Sequence, residues 1–153
     1  MKILAVDPGR TTGICVLESD QTNSIRVAMA NQIPWEVRKL QLWALIAGTS
    51  VTWPLGQPDA IVIEDFKLRP GRAMEQIGSD FPSVHIIGMV EGFHFALQQT
   101  CPIVYQTPAI IGRVQILPPH EKLLAGQEHA KDAYKHARYY LITKANKHEP
   151  SNS

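Results

Sequence analysis

The chain has 153 residues, 44% of them hydrophobic, which suffices for one compact domain with a real core and is too little for two. Fifteen basic against fourteen acidic residues leave a formal net charge of +1, so a globally basic nucleic-acid binder is excluded and any such surface has to come from local clusters. The two cysteines, Cys15 and Cys101, form no CxxC pair, which argues against zinc and fits a reducing compartment. No apolar run reads as a signal peptide or a membrane span, so a soluble cytoplasmic protein without a membrane partner is expected.

KILAVD (2–7) has the pattern of a buried strand and stops at the turn Pro8-Gly9. GICVLES (13–19) reads as a second strand and SIRVAMA (24–30) as a third, completing an antiparallel meander. WEVRKLQLWALIAG (35–48) has helical apolar spacing and ends at Gly48. AIVIEDF (60–66) is a continuous apolar run broken by two acids, the mark of a strand buried on both faces. The stretch 68–83, rich in Gly, Pro and charge, reads as an exposed loop; 84–99 as a helix apolar on most of its surface; 101–108 as a short strand between prolines. Residues 109–127 read as irregular, 129–145 as the last helix, and 146–153 as a disordered polar tail, leaving one domain over 1–145. A meander followed by alternating strands and helices predicts an α/β fold with a mixed central sheet covered by helices.

Acids at strand ends carry the first chemical signal. Asp7 ends the first strand where the backbone turns, a rigid position that suits a metal ligand, though a turn-capping aspartate has the same pattern. Glu64 follows AIVI; a charge there is costly unless paired, hydrogen-bonded or metal-bound, and a structural ion pair is the alternative to a site. Asp65 points to the opposite face of a strand, so the two cannot easily serve one site; Glu64 is taken for the site and Asp65 for an outer or salt-bridge role. On the last helix, His129, Asp132 and His136 share one face at three- and four-residue spacing. Ala130, Ala133 and Ala137 with Tyr134 and Leu141 form a small apolar stripe that allows close packing on the sheet. Lys131, Lys135 and Arg138 form a third stripe, either phosphate-binding or merely solvated. Hard cations such as Mg²⁺ take oxygen ligands, and two of them about 4 Å apart can hydrolyse a phosphodiester. Asp7, Glu64 and Asp132 have the right chemistry for that, with His129 as a further ligand or as the group that orients or deprotonates the water.

AVDPGRTTG near the start, IVIEDF in the middle and HAKDAYKHARYYL near the end resemble, in this order and spacing, the RuvC-type Holliday junction resolvases, particularly the compact versions encoded by bacteriophages. The resemblance covers roughly residues 1–145. It implies an RNase H-like fold, with a five-stranded sheet whose antiparallel meander is followed by parallel strands and flanked by helices. It also implies a homodimer, two Mg²⁺ (or Mn²⁺) ions per site, and cleavage of branched DNA, above all four-way junctions, in a bacterial or phage-infected cytoplasm. By position, Asp7 matches the first-strand aspartate, Glu64 the fourth-strand glutamate, and His129 and Asp132 the acidic or histidine pair of the last helix. The segment 109–127 departs from the family: cellular members have a longer basic, glycine-rich stretch there, which bears on junction selectivity more than on the chemistry.

Three other readings compete. DPGRTTG is also similar to the phosphate-binding turn of actin-like and sugar-kinase ATPases, but those need two domains and a second phosphate loop. A YqgF-type RNA nuclease carries an acid-arginine motif where this chain has IEDF. A non-catalytic binding protein of the same fold has no need of three acids at strand and helix ends. Two surfaces complete the expectations. Lys67, Arg69 and Arg72 in the loop after Glu64, with Lys131, Lys135 and Arg138, are candidate DNA contacts. The helix at 84–99 is a candidate homodimer interface: Gly88 and Gly92 form a small-residue ridge, with Phe93 or Phe95 near the two-fold axis. The alternative is that the ridge admits the protein's own sheet.

Overall fold

The structure is a computed structural model and describes residues 1–22, 24–34, 57–66 and 81–145. The helix expected over 35–48, most of the loop expected over 68–83 and the tail 146–153 lie outside these residues, as do Lys67, Arg69 and Arg72.

Strand β1 (Lys2–Asp7) pairs antiparallel with β2 (Thr11–Ser19), in register from Lys2 opposite Glu18 to Asp7 opposite Gly13. The turn between them is held by Thr12, a buried residue whose hydroxyl donates to the Gly9 carbonyl at 3.2 Å. β2 pairs antiparallel with β3 (Ile25–Pro34), with a bulge between Val16 and Leu17. On the other side of β1 lies β4 (Ala60–Glu64), parallel to it, and then β5 (Ile103–Gln106), parallel to β4. The order β3-β2-β1-β4-β5 is the mixed five-stranded sheet that the sequence predicts.

The two faces of the sheet follow from strand alternation. Leu4, Val6, Ile14, Val16, Ile61 and Ile63 point to one face, where Ile86 and Val90 of helix α1 (Pro82–Ala96) cover them. Ile3, Ala5, Cys15, Leu17, Ala60 and Val62 point to the other, under Ala130, Ala133, Tyr134 and Ala137 of the long helix α3 (Glu128–Ala145). β1 lies between two strands and between two helices, which is why every residue from Ile3 to Asp7 is buried.

Three local expectations need correction. The third strand runs past residue 30 to Pro34, because an edge strand tolerates the polar Asn31 and Gln32 that broke the alternation. The segment 109–127 is not irregular throughout: it holds a 3-10 helix (Pro108–Arg113) and the short helix α2 (Pro118–Glu121), each opened by a proline at its first position. The Tyr134 hydroxyl ties this segment to α3, lying 2.9 Å from His120 Nδ1 and accepting from the Leu117 N–H at 3.4 Å, while Arg138 donates to the Gln115 carbonyl. Helix α1 begins at Pro82 rather than Val84. Among the described residues no helix is long and apolar enough to cross a membrane.

Candidate active site

One row of the sheet register gathers the site. Gln32, Gly13 and Asp7 are opposite one another across β3, β2 and β1; Glu64 and Gln106 are opposite across β4 and β5. Asp7 and Glu64 are the next positions after the paired Val6 and Ile63. These five residues, one from each strand, belong to the face covered by α3, because they continue the alternation of Ala5, Cys15 and Val62.

Helix α3 starts directly above this row. A Cβ at Gly13 would meet the His129 carbonyl oxygen at 2.0 Å and its carbon at 2.2 Å, so only glycine lets the first turn of α3 rest on β2. The His129 N–H, which has no partner within the helix, donates to Gln32 Oε1 at 2.8 Å. With α3 so placed, its histidine face drops onto the strand ends. His129 Nδ1 lies 2.9 Å from Asp7 Oδ2, and His136 Nε2 lies 2.9 Å from Glu64 Oε2. The other ring nitrogen of His136 lies 2.8 Å from Gln106 Oε1. Asp132 sits between the two histidines on the helix and is paired with Lys135 at 3.0 Å.

The electrostatics couple the acids. Burial pushes the Asp7 carboxyl up from 3.8 to about 6; the His129 hydrogen bond pulls it down, but the charges of Glu64 and Asp132 push it up further. Asp7 is thus buried within reach of two like charges, with one imidazole as its hydrogen-bonded partner. As arranged, no three His, Cys, Asp or Glu side chains among the described residues close on a common ion: one oxygen each of Asp7 and Glu64 is engaged by a histidine. The donor set nevertheless fits a hard cation. It offers carboxylate oxygens from three segments, and the mutual repulsion registered at Asp7 is what a divalent charge would relieve.

Of the residues singled out from sequence, Asp7, Glu64, His129 and Asp132 are brought to one end of the sheet. Lys131 and Lys135 flank them but are engaged in ion pairs with Glu128 and Asp132, and Arg138 bonds to the main chain at Gln115. On α1, Gly88 and Gly92 are exposed, and among the described residues nothing lies within 4 Å of a Cβ on either, so the protein's own sheet does not occupy the ridge. Phe95 on that side is 85% exposed, whereas Phe93 packs toward the sheet-facing core. Gln32, Gly13 and Gln106, and the burial of His136, escaped sequence reasoning. Their only signal is the register row, which exists once the strands are paired.

No protein-family model matches the chain, and neither does any curated protein sequence. Solved structures do. A Thermus thermophilus RuvC in complex with a Holliday junction substrate is similar at 15% identity with a TM-score of 0.62, covering 95% of this chain and 96% of that one. A second Thermus thermophilus RuvC structure is similar at 16% identity with a TM-score of 0.57, covering 95% and 97%. The yeast mitochondrial Holliday junction resolvase Ydc2 is similar at 13% identity with a TM-score of 0.61, covering 96% and 80%. The fold expected from the sequence is therefore the observed one.

Proposed function

We propose that this protein is a divalent-metal-dependent endonuclease that cuts branched DNA, most of all four-way junctions. The observation that carries the reading is the gathering of Asp7, Glu64 and Asp132 around one end of the sheet, from the beginning, middle and end of the chain. Buried, mutually repelling carboxylates at the edge of a sheet mark a functional site more often than a structural one, and the structurally similar proteins include a RuvC solved with a Holliday junction substrate and a Holliday junction resolvase.

Asp7, Glu64 and Asp132 would hold Mg²⁺ or Mn²⁺, two ions per site. When bound, the ions supply positive charge beside the attacking water and the leaving oxygen of a phosphodiester. The chain's own groups have separate tasks. Asp7, ionised, accepts from His129 Nδ1–H and so fixes the tautomer that leaves Nε2 free of a proton. The His129 side chain is 47% exposed, enough for Nε2 to take the proton of a water at the mouth of the site. Lys131 and Lys135 border the same end of α3 and, by exchanging their intrahelical carboxylates for phosphates, would contribute salt-sensitive, sequence-independent affinity; Lys67, Arg69 and Arg72 extend that surface by sequence position.

Resolving a four-way junction takes paired cuts on two strands, which two symmetry-related sites deliver. The outward ridge of Gly88 and Gly92, with the exposed Val84 and Phe95, supplies a surface for the second copy. The direct experiment is cleavage of labelled four-way junctions, forks, flaps and linear duplexes in Mg²⁺ or Mn²⁺ by wild type and by Asp7→Asn. Metal-dependent nicks on branched substrates, absent in the variant, are expected. Failure to cut any branched substrate with either ion would sink the reading.

A further inference from the structure

His136 is fully buried, a costly place for an imidazole unless both ring nitrogens are satisfied. They are: Nε2 faces Glu64 Oε2 at 2.9 Å and Nδ1 faces the Gln106 side-chain amide at 2.8 Å. An ionised carboxylate only accepts, so the proton on Nε2 points at Glu64. This holds with either orientation of the Gln106 amide, which settles only whether Nδ1 donates or accepts. The ring is as fully buried as Ala133 and Ala137 on the same helix, in an interior where close packing restricts its movement.

We infer that His136 is a positioning residue for Glu64, holding one carboxylate oxygen so that the other is presented toward Asp7, with Gln106 locking the ring from behind. The inference rests on the metal-dependent reading of the site. Glutamate has three side-chain torsions, and at a strand end with 19% of its side chain exposed nothing else described restrains them. A carboxylate that ligates metal gains affinity when an outer hydrogen bond fixes its orientation, and loss of such a partner typically lowers metal affinity about 10- to 100-fold. The two histidines seven residues apart on α3 thus divide the labour. His129 stands half-exposed on Asp7; His136 stands fully buried on Glu64.

The test compares His136→Leu, which removes the donor, with His136→Gln, whose amide nitrogen restores a donor near the Nε2 position. Mn²⁺ binding to the DNA-free protein is measured by titration calorimetry, melting is followed without metal, and kcat and KM are measured on a four-way junction. His136→Leu is expected to lose at least about tenfold in Mn²⁺ affinity and in kcat at fixed metal with KM for DNA unchanged, and His136→Gln to recover most of both. A folded His136→Leu that binds Mn²⁺ like wild type, or a His136→Gln as weak as His136→Leu, would overturn the inference. Should His136→Leu fail to fold, Gln106→Leu decides: weakened Mn²⁺ affinity supports the lock, and wild-type affinity overturns it. Wild type that takes up no divalent ion would instead overturn the nuclease reading itself, an outcome distinct from wild type that binds while the variants do not differ.

Discussion

Helices α1 and α3 cover opposite faces of the same sheet but meet it differently. α3 approaches through alanines and over Gly13 so closely that a single Cβ would not fit, and it carries polar groups that are matched one to one with polar groups on the strand ends. α1 presses Ile86 and Val90 into the core and leaves Val84, Gly88, Gly92 and Phe95 outside. Small residues therefore mean two things in one chain. On α3 and β2 they let the protein's own parts touch; on α1 they face outward, available to another molecule.

The largest expected effect falls on the tight contact. Gly13→Ala forces its methyl into the His129 carbonyl, so α3 must lift from β2 and take His129 off Asp7. A loss of about 3 kcal/mol in stability and of nearly all cleavage is expected, read by melting and nicking assays. Wild-type behaviour of this variant would show that the two helices do not differ as described.

Asp7→Asn comes next and separates catalysis from stability. Cleavage should fall below detection while DNA binding persists. The Asp7 carboxyl has a folded value raised from 3.8 to about 6, so its protonation favours the fold below about pH 4, and that stability is lost as pH rises through 6. Wild type without metal should therefore become less stable from pH 4 to 6.5 by on the order of 2 kcal/mol. Asn, carrying no charge, should flatten that slope and melt higher at pH 7. A slope that survives the substitution would assign the effect elsewhere.

On the open helix, Phe95→Asp should convert a dimer to a monomer in light scattering at micromolar concentration, leaving melting nearly unchanged and turning paired cuts into single nicks. Gly88→Ala and Gly92→Ala should move two readouts in opposite directions. Each is expected to stabilise the fold by about 1 kcal/mol, since alanine favours helix and no described residue stands within 4 Å, while weakening dimerisation by thickening the ridge. Weaker folding instead would mean that the ridge is covered within the chain. The smallest effect is assigned to neutralising Lys131 and Lys135 together, which should weaken junction binding and flatten its salt dependence. Both already pair with carboxylates on their own helix, so the change is less than two free lysines would give. An unaltered salt dependence would leave them as a solvated face.

How far the sequence reached follows from the range of its signals. Asp7 and Glu64 were legible because each closes an apolar run; strand parity showed only that Glu64 and Asp65 cannot share a face, and the register with β1 is what puts Glu64 on the face of Asp7. The His129–Asp132 spacing was legible because a helix repeats locally. His136 could be placed on the same face but not in the interior, because its partners, Glu64 and Gln106, lie 72 and 30 residues away. Gln32 and Gln106 are ordinary amides until pairing puts them in the row. The short helices after β5 could have been found from Pro108 and Pro118, whose fixed φ suits a first helical position. In α1 the pattern, apolar nearly all round, was read correctly as surplus, but only packing separates Phe93, turned inward, from Phe95, turned out.

Asp7 and His129 are hydrogen-bonded although they lie 122 residues apart, and between them the chain must lay down the rest of the sheet. During synthesis the first carboxylate emerges early, yet the helix that completes the site is the last described element to leave the ribosome. Until it docks, the face of Ile3, Ala5, Cys15 and Leu17 lacks most of its cover, so completing the core and arming the site are a single event. Under the proposed nuclease reading that order is a safeguard: a nascent, truncated or partly unfolded chain is a harmless one.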